Sequence, residues 1–123
     1  MEQQHEAIVA VVDDDDDVGE VLRGLLESAG YQIMIYKSAR EFLPEAQLGQ
    51  VACLVVDQNM PGMTGLELLT ELSARGIAMP SLLISGGLEA GVADRALELG
   101  VMKVLDKPMD SAELLRFISF AVG

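Results

Sequence analysis

VACLVVDQNMPGMTG, Val51 to Gly65, runs from an apolar segment into a single carboxylate and then straight into a Pro/Gly-rich turn. The unbroken run Cys53-Leu54-Val55-Val56 is what a strand buried on both faces looks like. The turn after it has to be a surface loop. Asp57 is therefore delivered to the place where core meets water.

Working outward, apolar strand-like runs alternate with helical periodicity five times, the pattern of an α/β domain with a parallel sheet. Ala7 to Val12 is the first strand. In the segment that follows, Val18, Val21, Leu22, Leu25, Leu26 and Ala29 fall at helical steps, and Gly30 is the stop. Gln32 to Tyr36 is the second strand, and Ser38 to Glu41 has capping-box spacing for a short helix ending near Pro44. After the third strand, a helix from about Gly65 to Arg75 buries Leu66, Leu69 and Leu72, and Gly76 closes it. Pro80 to Ser85 is strand four, Gly86-Gly87 its turn, and Ala90 to Gly100 a helix with a thin apolar face that should be the least rigid. Met102 to Asp106 is strand five. Asp110 caps a last helix to Val122, with Leu114, Leu115, Phe117, Ile118 and Ala121 for the core.

The 123 residues suit one domain with a real core, and residues 1–6, with His5, read as a flexible exposed tail. The formal charge is -12, from 20 acidic and 8 basic residues, which argues against direct phosphate contact with nucleic acid. No apolar run has the length of a membrane span and the start lacks a signal-peptide layout, so a soluble cytoplasmic chain is expected. The single cysteine, Cys53, excludes an internal disulfide and reads as an inert core residue.

Right-handed crossovers place every strand's C-terminal end on one edge of the sheet, where ligands bind at the reversal of strand order. Strand one delivers Asp13 and Asp14 to that edge, strand three Asp57, strand four Ser85 and strand five Lys107, just before Pro108. In the flavodoxin-like order 2-1-3-4-5, strands one and three are neighbours and their acidic ends meet. Carboxylates ~4 to 6 Å apart repel by several kcal/mol per pair, so they need a cation. Oxygen-only ligands with room for water suit Mg²⁺, or Mn²⁺. An EF-hand is excluded, because its sixth and twelfth positions counted from Asp13 are Val18 and Gly24. A metal, a hydroxyl and an ammonium around one carboxylate form a cradle for a phosphoryl group, with Asp57 placed as the nucleophile.

VVDDD after strand one, LVVDQNMPGMTG after strand three, LLISG after strand four and LDKP after strand five stand in the order and spacing of a known family. Over residues 7 to 122 the chain resembles the receiver domains of two-component response regulators, in the style of those that precede helix-turn-helix output domains in FixJ and LuxR proteins. The resemblance implies a CheY-like three-layer sandwich of five strands and five helices. It makes Asp57 the phosphoacceptor, Asp14 and Asp57 direct Mg²⁺ ligands, Asp13 a ligand through water, and the Asn59 main-chain carbonyl a further ligand. It gives Ser85 the role of the phosphoryl-binding hydroxyl and Lys107 that of the salt-bridging lysine. Main-chain N–H groups of Gln58 and Gly86 complete the cradle, and the bond before Pro108 is cis. Implied partners are a sensor histidine kinase or phosphotransfer protein, and a second copy through helix 4, strand 5 and helix 5. DNA is reached only through an output domain outside these residues. Such a domain is no enzyme in the ordinary sense, though it assists its own phosphoryl transfer and dephosphorylation. The chain departs from the family at Val104, where a Tyr or Phe usually stands and swings inward on switching.

Blander readings stand beside these. Asp15, Asp16 and Asp17 suit a helix N-terminus, with Asp17 as N-cap. The methionines suit core filling, with Met60, Met63 and Met109 near the site's mouth. An aspartate-nucleophile phosphatase of the haloacid dehalogenase kind needs a second Asp two residues after the nucleophile, where this chain has Asn59. A degenerate receiver, binding a partner without phosphorylation, is the remaining alternative.

Overall fold

The computed structural model describes residues 7–46, 50–86 and 90–123. The strands are β1 (Ile8–Val12), β2 (Gln32–Tyr36), β3 (Val51–Asp57), β4 (Ser81–Ser85) and β5 (Lys103–Asp106), all parallel in the order β2-β1-β3-β4-β5. The helices are α1 (Asp16–Ser28), α2 (Ala39–Ala46), α3 (Gly65–Ala74), α4 (Val92–Glu98) and α5 (Ser111–Val122).

The strand pleat divides the core in two. Val9, Val11, Cys53, Val55, Leu82 and Ile84 face Leu22 and Leu26 of α1 and Leu114 and Ile118 of α5. Ala10, Val12, Leu54, Val56 and Leu83 face Phe42 of α2, Leu68 and Leu72 of α3 and Ala96 of α4. Alternate residues of one strand thus feed opposite layers, which is why the third strand shows no polar alternation. Burial pushes the Cys53 thiol up to about 12, consistent with an inert core residue. No helix among the described residues is long and apolar enough to cross a membrane.

Several boundaries differ from those the sequence predicts. α1 begins at Asp16, and its N-cap is Asp15, whose carboxylate accepts the Asp17 N–H at 2.9 Å, so Asp17 lies inside the first turn. Val21 is 65 % exposed; it sits on the margin of the apolar stripe, while Leu22 and Leu26 enter the core. α2 passes through Pro44 to Ala46, the proline standing inside its second turn without ending the helix. Ser38 Oγ accepts the Glu41 N–H at 3.1 Å, but the Glu41 carboxylate turns to the Lys37 N–H, so the expected box is not reciprocal at Ser38. Leu66 is half-buried and Leu68 takes the fully buried place on α3. α4 is shorter than its sequence pattern, and Leu99 and Gly100 form its C-terminal turn. The expectations for residues 1–6, His5 and Gly87 lie outside the described residues.

Candidate functional site

At the C-terminal edge of the sheet the ladder itself positions the acidic groups. Asp13 follows β1, and its main-chain N–H donates to the Tyr36 carbonyl at 2.9 Å. Its carboxylate is 2 % exposed; Oδ1 accepts the Asp15 N–H at 2.9 Å, and Oδ2 is buried without a hydrogen-bond partner among the described residues. Burial pushes this carboxyl up to about 6; the Asp15 N–H and Lys107 pull against that shift, and Asp57 and Asp14 add to it. Asp14 is exposed. Carboxylate oxygens of Asp13, Asp14 and Asp57 lie within 4.8 Å of one another. A buried carboxylate oxygen with no donor, beside two further carboxylates, fits a hard divalent cation such as Mg²⁺.

Asp57 ends β3 and is also 2 % exposed. Its Oδ2 accepts from Lys107 Nζ at 3.2 Å and its Oδ1 from the Asn59 N–H at 3.2 Å. Lys107 follows β5, its N–H donating to the Ser85 carbonyl at 3.0 Å, and the Lys107–Pro108 bond is cis. Ser85, the buried last residue of β4, lies opposite Asp106 in register. Asp13, Asp14, Asp57, Ser85 and Lys107 therefore share one edge, as the sequence predicts.

One cradle assignment is corrected. The Gln58 N–H donates to the Ile84 carbonyl at 2.8 Å as part of the β3–β4 ladder, so it is turned away from the carboxylate; the amide facing Asp57 is that of Asn59. The Gly86 N–H donates to Asn59 Oδ1 at 3.2 Å.

Two further supports lie behind Asp57. The buried Gln58 side chain accepts the Leu66 N–H at 2.8 Å, pinning the start of α3 to the end of β3. A Cβ on Gly65 would lie 2.7 Å from Leu83 Cδ1 and 2.8 Å from the Asp57 carbonyl, so only glycine fits there. An aspartate entering an Asn/Pro/Gly turn was a legible sign of the carboxylate-to-amide bond at Asn59. Nothing in the pattern marked Gln58, since a buried glutamine at a strand end has no spacing rule. Val104 is half-buried on β5, opposite Leu83, against the layer holding α3 and α4.

Residues 9–119 match the family described as response regulator receiver domain. The chain belongs to that family, the signalling domain of two-component response regulators. It is 40 % identical over 115 residues to the transcriptional regulatory protein FixJ of Azorhizobium caulinodans, covering 94 % of this chain and 54 % of that protein. It is 36 % identical to nodulation protein W of Bradyrhizobium diazoefficiens, covering 93 % of this chain and 50 % of the relative. Among solved structures, the response regulator StyR superposes with a TM-score of 0.89 at 37 % identity, over 95 % of this chain and 59 % of that one. The structure titled FixJ-N gives 0.86 at 30 %, over 97 % and 95 %. The chain spans about half the length of the curated relatives it matches.

Proposed function

We propose that this domain accepts a phosphoryl group onto Asp57 in a Mg²⁺-dependent reaction. The donor is the phosphohistidine of a sensor kinase or phosphotransfer protein, or a small acyl phosphate. The observation that carries this is the buried Asp57 carboxylate, one oxygen on Lys107, with two further carboxylates closing in beside it. Asp13, Asp14, Asp57 and the Asn59 main-chain carbonyl would hold the metal, Mn²⁺ serving as a substitute. When bound, the metal offsets charge on the carboxylates and on the transferring group.

In the transfer, an Asp57 oxygen forms a bond to phosphorus as the P–N bond to the donor imidazole breaks. The electron pair stays on nitrogen, and a proton on the other ring nitrogen lets the imidazole leave neutral. With acetyl phosphate the P–O bond breaks and acetate leaves. Lys107 holds the nucleophile in place and then pairs with the phosphoryl charge, and the Ser85 hydroxyl donates to a phosphoryl oxygen. The product adds roughly 1.5 to 2 negative charges, which bias a pre-existing equilibrium between two conformations. With Val104 in place of a swinging aromatic, the readout through α4, β5 and α5, including any homodimer formed there, is reduced.

A phosphodonor protein has a seat beside the site. An apolar groove of about 320 Å³ between α1 and α5 is lined by Val21, Leu25, Met109 and Leu114 and reaches Lys107 and Pro108. A histidine carried on a helix laid in that groove arrives next to the lysine that holds Asp57. The name of the FixJ relative, a transcriptional regulatory protein, supports an output on DNA through a domain beyond these residues. No observation favours a module that acts without phosphorylation.

The test is an intact-mass measurement after incubation with acetyl phosphate and Mg²⁺. One added phosphoryl group is expected, absent in Asp57→Asn and in EDTA; an unmodified wild-type protein overturns the reading. Val21→Glu is expected to slow transfer from a phosphohistidine protein while leaving transfer from acetyl phosphate intact; equal effects on both remove the groove from the account.

A further inference from the structure

We propose that the Asn59 side chain is a latch that occupies the Gly86 amide until a phosphoryl group displaces it. The proposal rests on Asp57 being the phosphoacceptor.

Asn59 bridges two loops at once. Its own N–H donates to Asp57 Oδ1 at 3.2 Å, on the loop after β3, while its Oδ1 accepts from the Gly86 N–H at 3.2 Å, 27 residues away at the start of the loop after β4. Gly86 lies beside Lys107: a Cβ there would come 3.3 Å from Lys107 Cδ and 3.7 Å from Asn59 Oδ1. The Lys107 stem therefore passes Gly86 while its tip reaches Asp57 Oδ2. An anion joined to Asp57 falls within the group formed by the Lys107 ammonium, the Asn59 amide and the Gly86 amide.

An N–H has one proton to give. In the unphosphorylated domain that proton is held by a neutral carboxamide oxygen. A phosphoryl oxygen is charged, and hydrogen bonds to it are about twice as strong, so the exchange of partners runs toward the phosphoryl group. The exchange costs the Asn59–Gly86 bond. Breaking it uncouples the start of the β4–α4 connection from the loop that follows Asp57. Arrival of the phosphoryl group is thereby felt on the α4 side without an aromatic at position 104.

Removing the carboxamide removes the competitor and keeps the Asn59 main-chain amide and carbonyl. In Asn59→Ala, phosphorylation by acetyl phosphate with Mg²⁺ is expected to run between about two- and tenfold faster, the range set by one modest neutral hydrogen bond. Asn59 is exposed, so the fold tolerates the change. The decisive readout is the Gly86 amide proton in ¹H–¹⁵N spectra. Without phosphodonor, it should behave as hydrogen-bonded in the wild type, with a small temperature coefficient, and as water-exposed in Asn59→Ala. After phosphorylation, the Gly86 amide should move to the same downfield position in both proteins. Phosphorylated wild type with an unshifted Gly86 amide, or an Asn59→Ala protein whose Gly86 amide matches the wild type before phosphorylation, overturns the latch and leaves Asp57 as the acceptor. A wild type that takes no phosphoryl group in the mass measurement overturns the acceptor reading itself, and the latch with it.

Discussion

The helices that follow β3 and β4 begin in opposite ways. α3 starts from a closed capping box, Thr64 Oγ1 accepting the Glu67 N–H at 3.2 Å and the Glu67 carboxylate accepting the Thr64 N–H at 2.9 Å. Gln58 adds two bonds from β3, and α3 then buries Leu68, Leu69 and Leu72. α4 starts from Gly91 at φ +85° with no side-chain cap, runs seven residues and buries only Val92 and Ala96. The connection behind Asp57 is thus over-determined, while α4, which follows β4, is a short helix that buries two of its residues. On the proposed function, the phosphoacceptor has to be in position before its donor arrives, and the element that reports on it has to be cheap to shift. The Asn59–Gly86 bond ties the firm side to the light one.

The contrast can be broken most directly in the core. Leu68→Ala, at a fully buried place on α3, should destabilise the domain by about 3 kcal/mol in urea titrations. Gly65→Ala forces a Cβ against the Leu83 side chain and the Asp57 carbonyl, and should cost about 2 kcal/mol. Because that Cβ presses on the Asp57 main chain, phosphorylation by acetyl phosphate should slow as well. An unchanged stability would mean that the β3–α3 connection is not tightly held.

The firm side also carries a cost in its carboxylates. Asp13→Asn removes a buried charge and supplies an N–H toward its acidic neighbours. In metal-free buffer it should stabilise the domain by about 1 to 2 kcal/mol, read as a raised urea midpoint. Millimolar Mg²⁺ should raise the midpoint of the wild type, but that of the variant much less.

Most of this architecture was legible in the sequence, because parallel strands buried on both faces and helices with one apolar stripe leave strong periodic signals. The acidic edge was legible for a related reason: right-handed crossovers force every strand end to one side, so Asp13, Asp57, Ser85 and Lys107 needed only a strand assignment to be grouped. What escaped were decisions made by single hydrogen bonds. Asp15 rather than Asp17 caps α1 because the first turn starts one residue after Asp15, and a run of five aspartates holds no periodicity to mark that point. Val21 falls at a helical step, yet the stripe is narrower than the spacing suggests, and its margin lines the groove with α5. The Gln58 amide belongs to the ladder and not to the cradle, since strand hydrogen bonding extends two residues past the last apolar position, Val56.

Smaller changes sharpen the comparison. Thr64→Ala opens the capping box and should cost about 1 kcal/mol. Because the Gln58 bond to Leu66 persists, the phosphorylation rate should stay close to wild type, which separates helix stability from the placement of Asp57.

The smallest effect belongs to α4, and it carries the most information about the light side. Leu97 is 56 % exposed on a helix that buries only two residues, so Leu97→Ala removes little buried area and should change stability by no more than about 0.5 kcal/mol. Alanine is also the better helix former, which offsets part of even that loss. If the near-neutral result holds, Val92 and Ala96 are the residues through which α4 is packed among the described residues, and the Gly86 hydrogen bond to Asn59 is a tie between the two sides. A loss as large as that from Leu68→Ala would instead place Leu97 in a packed environment, and the contrast between the two helices, with the easy movement assigned to α4, would fail.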